Sequence, residues 1–302
     1  MYRNIMVPID GSAFSKEALL QGVRIARQCG ATLRLVRVRK TPSLSESPEA
    51  LSTGVVAFKN RAVELADLYR IANECRANSS VSVTVCLLDG PVADALVGYI
   101  ARHKVDLVVM RSHARQGVAR VWFGSVADKL IRRSGIPVLI VRQPSLATGL
   151  ESGFRFKRIL VPLDGSPLAE KSLCAAVALA HIDGATVTLL QVVRSHAAVI
   201  DAENYLNSLV PALSEPNVTI IPKAIIADDI AAAILQAAQS REIDMIAIAT
   251  HGRGAVARVA TGSVANRLMR EAVISTMVVH PLSPVADSEL VPVWAGEPSF
   301  AI

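Results

Sequence analysis

The chain has 302 residues, room for two domains of ordinary size, and 51% of them are hydrophobic, with a mean hydropathy of +0.39. Aromatics make up only 4%, so the apolar content is mainly Ala, Val, Leu and Ile, the composition of helices packed on a parallel sheet. The net charge of +6 is spread thinly, with short pairs at Arg39-Lys40 and Arg132-Arg133; no zinc-finger, RNP or KH-type pattern accompanies it, and nucleic acid is not an expected partner. Apolar stretches stop well short of the ~18 residues that span a bilayer, so no membrane association is expected. The opening MYRNIMVPIDG enters a strand without the apolar core of a secretory signal. Cys29, Cys75, Cys86 and Cys174 lack CxxC or metal-type spacing and read as reduced core thiols of a cytoplasmic protein.

In chain order, hydrophobic periodicity and stop signals predict strands near 3–9, 32–38, 81–87, 105–110 and 136–141, with helices near 14–28, 55–77, 91–103 and 124–134. Residues 40–54, KTPSLSESPEALSTG, are rich in Ser and Pro and read as a mobile loop. Residues 143–154 read as a linker, after which strands recur near 157–163, 186–193, 218–225, 243–249 and 275–280. The recurrence is a duplication. IMVPIDGS at 5–12 matches ILVPLDGS at 159–166, an offset of 154 that also lays Gly30-Ala31-Thr32 on Gly184-Ala185-Thr186. Further on the offset is 138: Asp106 falls on Asp244, His113 on His251, Arg120 on Arg258, and Gly124-Ser125-Val126-Ala127 on Gly262-Ser263-Val264-Ala265. The first copy thus carries 16 extra residues between its second and third strands. The expected organisation is a domain at 1–142, the linker, a domain at 155–281 and a tail at 282–302 whose Trp294 and Phe300 suggest docking on the body. Alternating strands and helices call for parallel βαβ units with right-handed crossovers.

Chemistry points first to residues 249–263, ATHGRGAVARVATGS. An apolar strand runs into a glycine-punctuated loop and then a Gly-Ser helix start. Glycine lets backbone N–H groups approach an anion, and a helix N-terminus favours negative charge. Asp164 ends the first strand of its copy, as Asp10 does in the other. In an open parallel sheet ligands bind beyond the carboxyl ends of the strands, where strand order reverses, so Asp164 would face that loop. The alternative for each Asp-Gly-Ser is a turn that caps the next helix. His113 and His251 have no partner at metal-ligand spacing and read as loop residues. There is no P-loop, no GxSxG elbow and no Ser/His/Asp set; no catalytic or metal residues are assigned.

A strand ending V-P-x-D-G-S, followed later by a strand entering G-x-x-G-x9-G-[ST] before a helix, resembles the universal stress protein family. The resemblance covers the chain to about residue 281, as a tandem two-domain member. It implies an α/β fold of two Rossmann-like, adenine nucleotide alpha hydrolase-like domains, each a five-stranded parallel sheet of order 3-2-1-4-5 with helices on both faces. In one subclass it implies bound ATP (or ADP or AMP), often with a divalent ion such as Mg2+. Carried over, the site is Pro162, Asp164, Val192, Ala249, His251, Gly252, Gly262 and Ser263, with Asp10, Val38, Gly124 and Ser125 as weaker counterparts in the first copy. Ala249 replaces the first glycine of the pattern; in the first copy Arg111 and Ala114 replace both early glycines. Arg111 either binds phosphate, fills the cavity or points outward. The expected function is a nucleotide-binding regulator of the stress response acting on an unidentified protein partner. A slow ATPase or phosphotransferase, or a ligand-free scaffold, is the alternative. The last strand of each copy would lie at a sheet edge, so the copies are expected to meet there as an intramolecular pseudo-dimer, with homodimerisation of whole chains a further possibility.

Overall fold

A computed structural model describes residues 1–39, 53–111, 124–142, 154–240, 242–250 and 262–280, with side chains omitted at 13, 14 and 53–60. The calls that rest on residues 40–52, His113, Ala114, Arg120, the linker up to 153, His251, Gly252, Arg258 and the tail lie outside the described residues.

The first half runs β1 (Asn4–Pro8), α1 (Ala13–Cys29), β2 (Thr32–Arg39), α2 (Thr53–Ser79), β3 (Val83–Asp89), α3 (Val92–Arg102), β4 (Leu107–Arg111), α4 (Ser125–Ser134) and β5 (Val138–Val141). The second half repeats it as β6 (Arg158–Leu163), α5 (Lys171–Asp183), β7 (Thr186–Val193), α6 (Val199–Leu209), β8 (Thr219–Ile226), α7 (Ile230–Ser240), β9 (Met245–Ala249), α8 (Ser263–Glu271) and β10 (Ser275–Val279). The extra length of the first copy goes partly into α2, which has 27 residues against 11 in α6.

Local chemistry explains the boundaries. Ser12 caps α1 by accepting the Ser15 N–H at 3.3 Å, and the helix closes on Gly30 at φ 65°. Gly184 closes α5 in the same left-handed conformation, which costs a glycine nothing. β4 begins at Leu107 rather than 105, and just ahead of it the Asp106 carboxylate accepts the N–H groups of Arg3 and Asn4. Asp244 does the same for Lys157 and Arg158 ahead of β9.

The strands form one ten-stranded sheet of order β3-β2-β1-β4-β5-β10-β9-β6-β7-β8. Each half is therefore a parallel 3-2-1-4-5 sheet, and the two join through β5 and β10, which pair antiparallel at Ile140–Thr276, Leu139–Met277 and Val138–Val278. Strand side chains alternate between two cores. Ile5, Val7, Leu33 and Leu35 face α1 and α2, and Ile159, Val161, Val187 and Leu189 face α5 and α6. Met6, Val108, Ile140, Leu160, Ile246 and Val278 face the other layer, α3, α4, α7 and α8. Each core runs unbroken through both halves.

Side chains also cross between halves. The buried Arg24 of α1 makes a two-pronged ion pair with the buried Asp183 of α5, which also accepts the Phe156 N–H at 2.9 Å. Past β5, the Arg142 guanidinium donates to the carbonyls of Met269 and Ala272 at the end of α8, and burial pushes its pKa down to about 10.

Candidate functional site at the carboxyl edge of the second half

β6 is flanked by β7 on one side and β9 on the other, so strand order reverses between β6 and β9. At the carboxyl edge of these strands lie the half-buried Pro162, Val192 and Ala249 and the exposed Asp164. α8 must run back antiparallel to β9 before β10 can pair with it, so it starts at this edge with Gly262 and Ser263. The structure thus brings together six of the eight second-copy residues expected from the sequence. His251 and Gly252 are the two outside the described residues.

Gly262 is the N-cap of α8; among the described residues no side chain caps it, and its carbonyl accepts the Asn266 N–H at 2.9 Å. The first amides of a helix have no intrahelical acceptor, and no described residue supplies one here. α7 is different: Asp229 accepts the Ala232 N–H at 3.0 Å ahead of it. That N–H and then Arg267 hold the Asp229 carboxyl below its usual range, and Arg267 is thereby committed to Asp229 and Glu271.

Asp164 accepts the Ser166 N–H at 3.0 Å, and Ser166 Oγ accepts the Ala169 N–H at 3.1 Å. The turn anticipated as the alternative therefore exists, and it uses only one oxygen of the carboxylate. Beside it stands a residue that the sequence reading passed over. Gln191 precedes Val192 on β7, and a Cβ added to Gly165 would lie 3.9 Å from its Nε2. Its Oε1 is buried with no hydrogen-bond partner. A buried acceptor without a donor costs about 1–3 kcal/mol, which a ligand N–H or O–H would recover. The signal available in the sequence was a single amide in the otherwise apolar end of TVTLLQVV.

The first half presents the same frame with different contents. Asp10 Oδ1 accepts both the N–H and the hydroxyl of Ser12, Val38 is half-buried, and Gly124 precedes Ser125 at the start of α4 without a side-chain cap. Arg37, the counterpart of Gln191, donates to Asp67 at 2.8 Å and reaches the Ile9 carbonyl at 3.4 Å. Arg70 and Arg37 together hold the Asp67 carboxyl below its usual range. Of the three roles open to Arg111, the structure supports filling: it forms an ion pair with Glu17 of α1, and the two side chains are 19% and 25% exposed.

A doubled 3-2-1-4-5 sheet with an open Gly-Ser helix start at its switch point agrees with what comparison finds. The model of the universal stress protein family matches residues 1–142 and 155–280. The chain belongs to the universal stress protein family. A universal stress protein of Mycobacterium tuberculosis is 25% identical over 294 residues, covering 91% of this chain and 96% of that one. One from Methanocaldococcus jannaschii is 29% identical over 147 residues, covering 48% of this chain and 84% of its own. Among solved structures, a universal stress protein of Archaeoglobus fulgidus superposes with a TM-score of 0.70 at 18% identity, covering 92% of this chain and 98% of that one. This universal stress protein has, among its described residues, no helix long and apolar enough to cross a membrane and no group of three His, Cys, Asp or Glu placed to hold a metal ion.

Proposed function

We propose that the second half binds an adenine nucleotide, ATP or its ADP or AMP forms, and that the protein is a cytoplasmic stress-response regulator whose surface changes with occupancy. The observation that carries this reading is the Gly262-Ser263 start of α8, uncapped among the described residues, at the same sheet edge as the small Ala249. The amides there suit phosphate oxygens. Pro162, Val192 and Asp164 would hold the nucleoside, with Gln191 Oε1 as a further acceptor for a ligand N–H or O–H. Gly252 would let the loop backbone approach the phosphates and His251 would shape the turn. The described residues offer no metal cluster, so a Mg2+ ion would be held chiefly by the phosphates themselves. Phosphoryl transfer needs a positioned base or water. Among the described residues of the crevice Asp164 is the candidate, and one of its oxygens is tied to its turn, so we favour binding over turnover. Occupancy would shift the population of loop conformations seen by a protein partner.

The test is calorimetry with ATP and Mg2+, together with native mass spectrometry of the purified protein. Asp164→Ala and Gly252→Val should each weaken ATP by about tenfold or more, the scale of one charge-assisted hydrogen bond. Absence of heat with every purine nucleotide, or binding untouched by both substitutions, would overturn the proposal.

A further inference from the structure

Building on that reading, we infer that Lys171 is a phosphate-binding residue of the second-half crevice, and that the Glu17–Arg111 ion pair is its sealed counterpart in the first half. The inference rests on comparing the two copies position by position. α1 and α5 present the same face to the sheet: Ala18 and Leu19 are buried in one, Ser172 and Leu173 in the other. Lys171 therefore occupies the azimuth of Glu17. Glu17 reaches across to Arg111, the last residue of β4. The residue at that place on β9 is Ala249, whose methyl group offers nothing to pair with. Accordingly Lys171 is exposed, while the Glu17 side chain is 25% exposed.

The neighbouring carboxylate does not neutralise it by default. Glu170 accepts the Tyr205 hydroxyl at 3.0 Å, which draws it toward α6. A lysine on a flexible four-carbon stem is a compact point charge suited to a polyphosphate. The exchange is thus reciprocal. Where the first half has an acid and a base joined in an ion pair, the second has, among the described residues, a cation beside a strand end that carries no charge. Arg37–Asp67 in place of Gln191 closes the first half on its other flank in the same way.

The test titrates the full-length protein with ATP and, separately, with adenosine, each with Mg2+. Wild type should take one ATP per chain. Lys171→Glu should weaken ATP by about tenfold or more and leave adenosine within twofold, while Lys171→Arg keeps most of the ATP affinity. Equal losses for ATP and adenosine, or no loss for either, would overturn the role of Lys171. A second ATP bound per wild-type chain would overturn the sealing of the first half. If wild type takes no ATP, the nucleotide reading itself fails, and the inference falls with it.

Discussion

Asp164 shows how one side chain serves structure and leaves room for function. Its Oδ1 closes the turn into α5, and that need alone would keep an aspartate there. Among the described residues, the neighbouring Gln191 Oε1 without a hydrogen-bond partner and the start of α8 without a side-chain cap give its second oxygen a context. Cys75 makes the contrasting case of a residue with a purely interior role. It is fully buried on α2, and burial pushes its thiol up to about 11 from an ordinary value of 9.0. The unfolded chain therefore loses this proton first as pH rises. The stability linked to it is intact below pH 9 and disappears as pH climbs toward 11. Burial raises the Tyr2 phenol as well, and its effect has the same sign. The urea midpoint should fall between pH 9 and 11, and less steeply in Cys75→Ala. In the folded protein at pH 8, alkylation followed by mass spectrometry should label exposed Cys174 and spare Cys75.

Helices lie against strands with little slack. A Cβ placed on Gly22 of α1 would come within 2.5 Å of Val7 Cγ2 and 3.4 Å of Leu33 Cδ1. Gly22→Ala gains up to about 1 kcal/mol of helix propensity, but it overpacks a buried β1 side chain at a typical cost of about 1–3 kcal/mol. The expected net effect is a lower urea midpoint with an unchanged m-value. The second half carries Ala176 at the equivalent place and buries it fully. At this scale the sequence was readable. Aliphatic runs, glycine stops and the 154- and 138-residue offsets located all ten strands and the first-half helices to within a few residues. The tethering of strand starts by Asp106 and Asp244 was not legible: the offset pairs the two residues, but a carboxylate accepting backbone N–H groups leaves no hydrophobic period that would give its role. Gln191 and the Glu17–Lys171 exchange were hidden for a related reason. Each acquires meaning only from what stands opposite it in space.

Across the whole molecule, the two halves are held by the β5–β10 seam, by Arg142 and by the Arg24–Asp183 pair. The last of these is 4% and 1% exposed, so its worth lies mainly in not being broken. Asp183→Ala leaves a guanidinium buried without a partner and should cost about 3–5 kcal/mol in urea unfolding. The double variant Arg24→Met/Asp183→Leu should recover most of that loss, because both charges leave together. The pair has no mirror image: at the equivalent places stand Ala178 and Cys29. The duplicated frame is shared, and the residues that differ between the copies decide where the halves cling.

Antiparallel pairing at the seam gives the protein two opposed poles. The chain leaves β9 at one pole and β4 at the other, and four steps of about 3.3 Å between the ends of five-residue strands set those exits roughly 13 Å apart along the strand direction. Across the seam from the end of β9 stand the strand beginnings of the other half: Val278, level with Ile248, faces Val138 at the start of β5. On the proposed reading, an occupied second-half crevice would be displayed at one pole of the sheet, with the matching crevice of the first half at the opposite one.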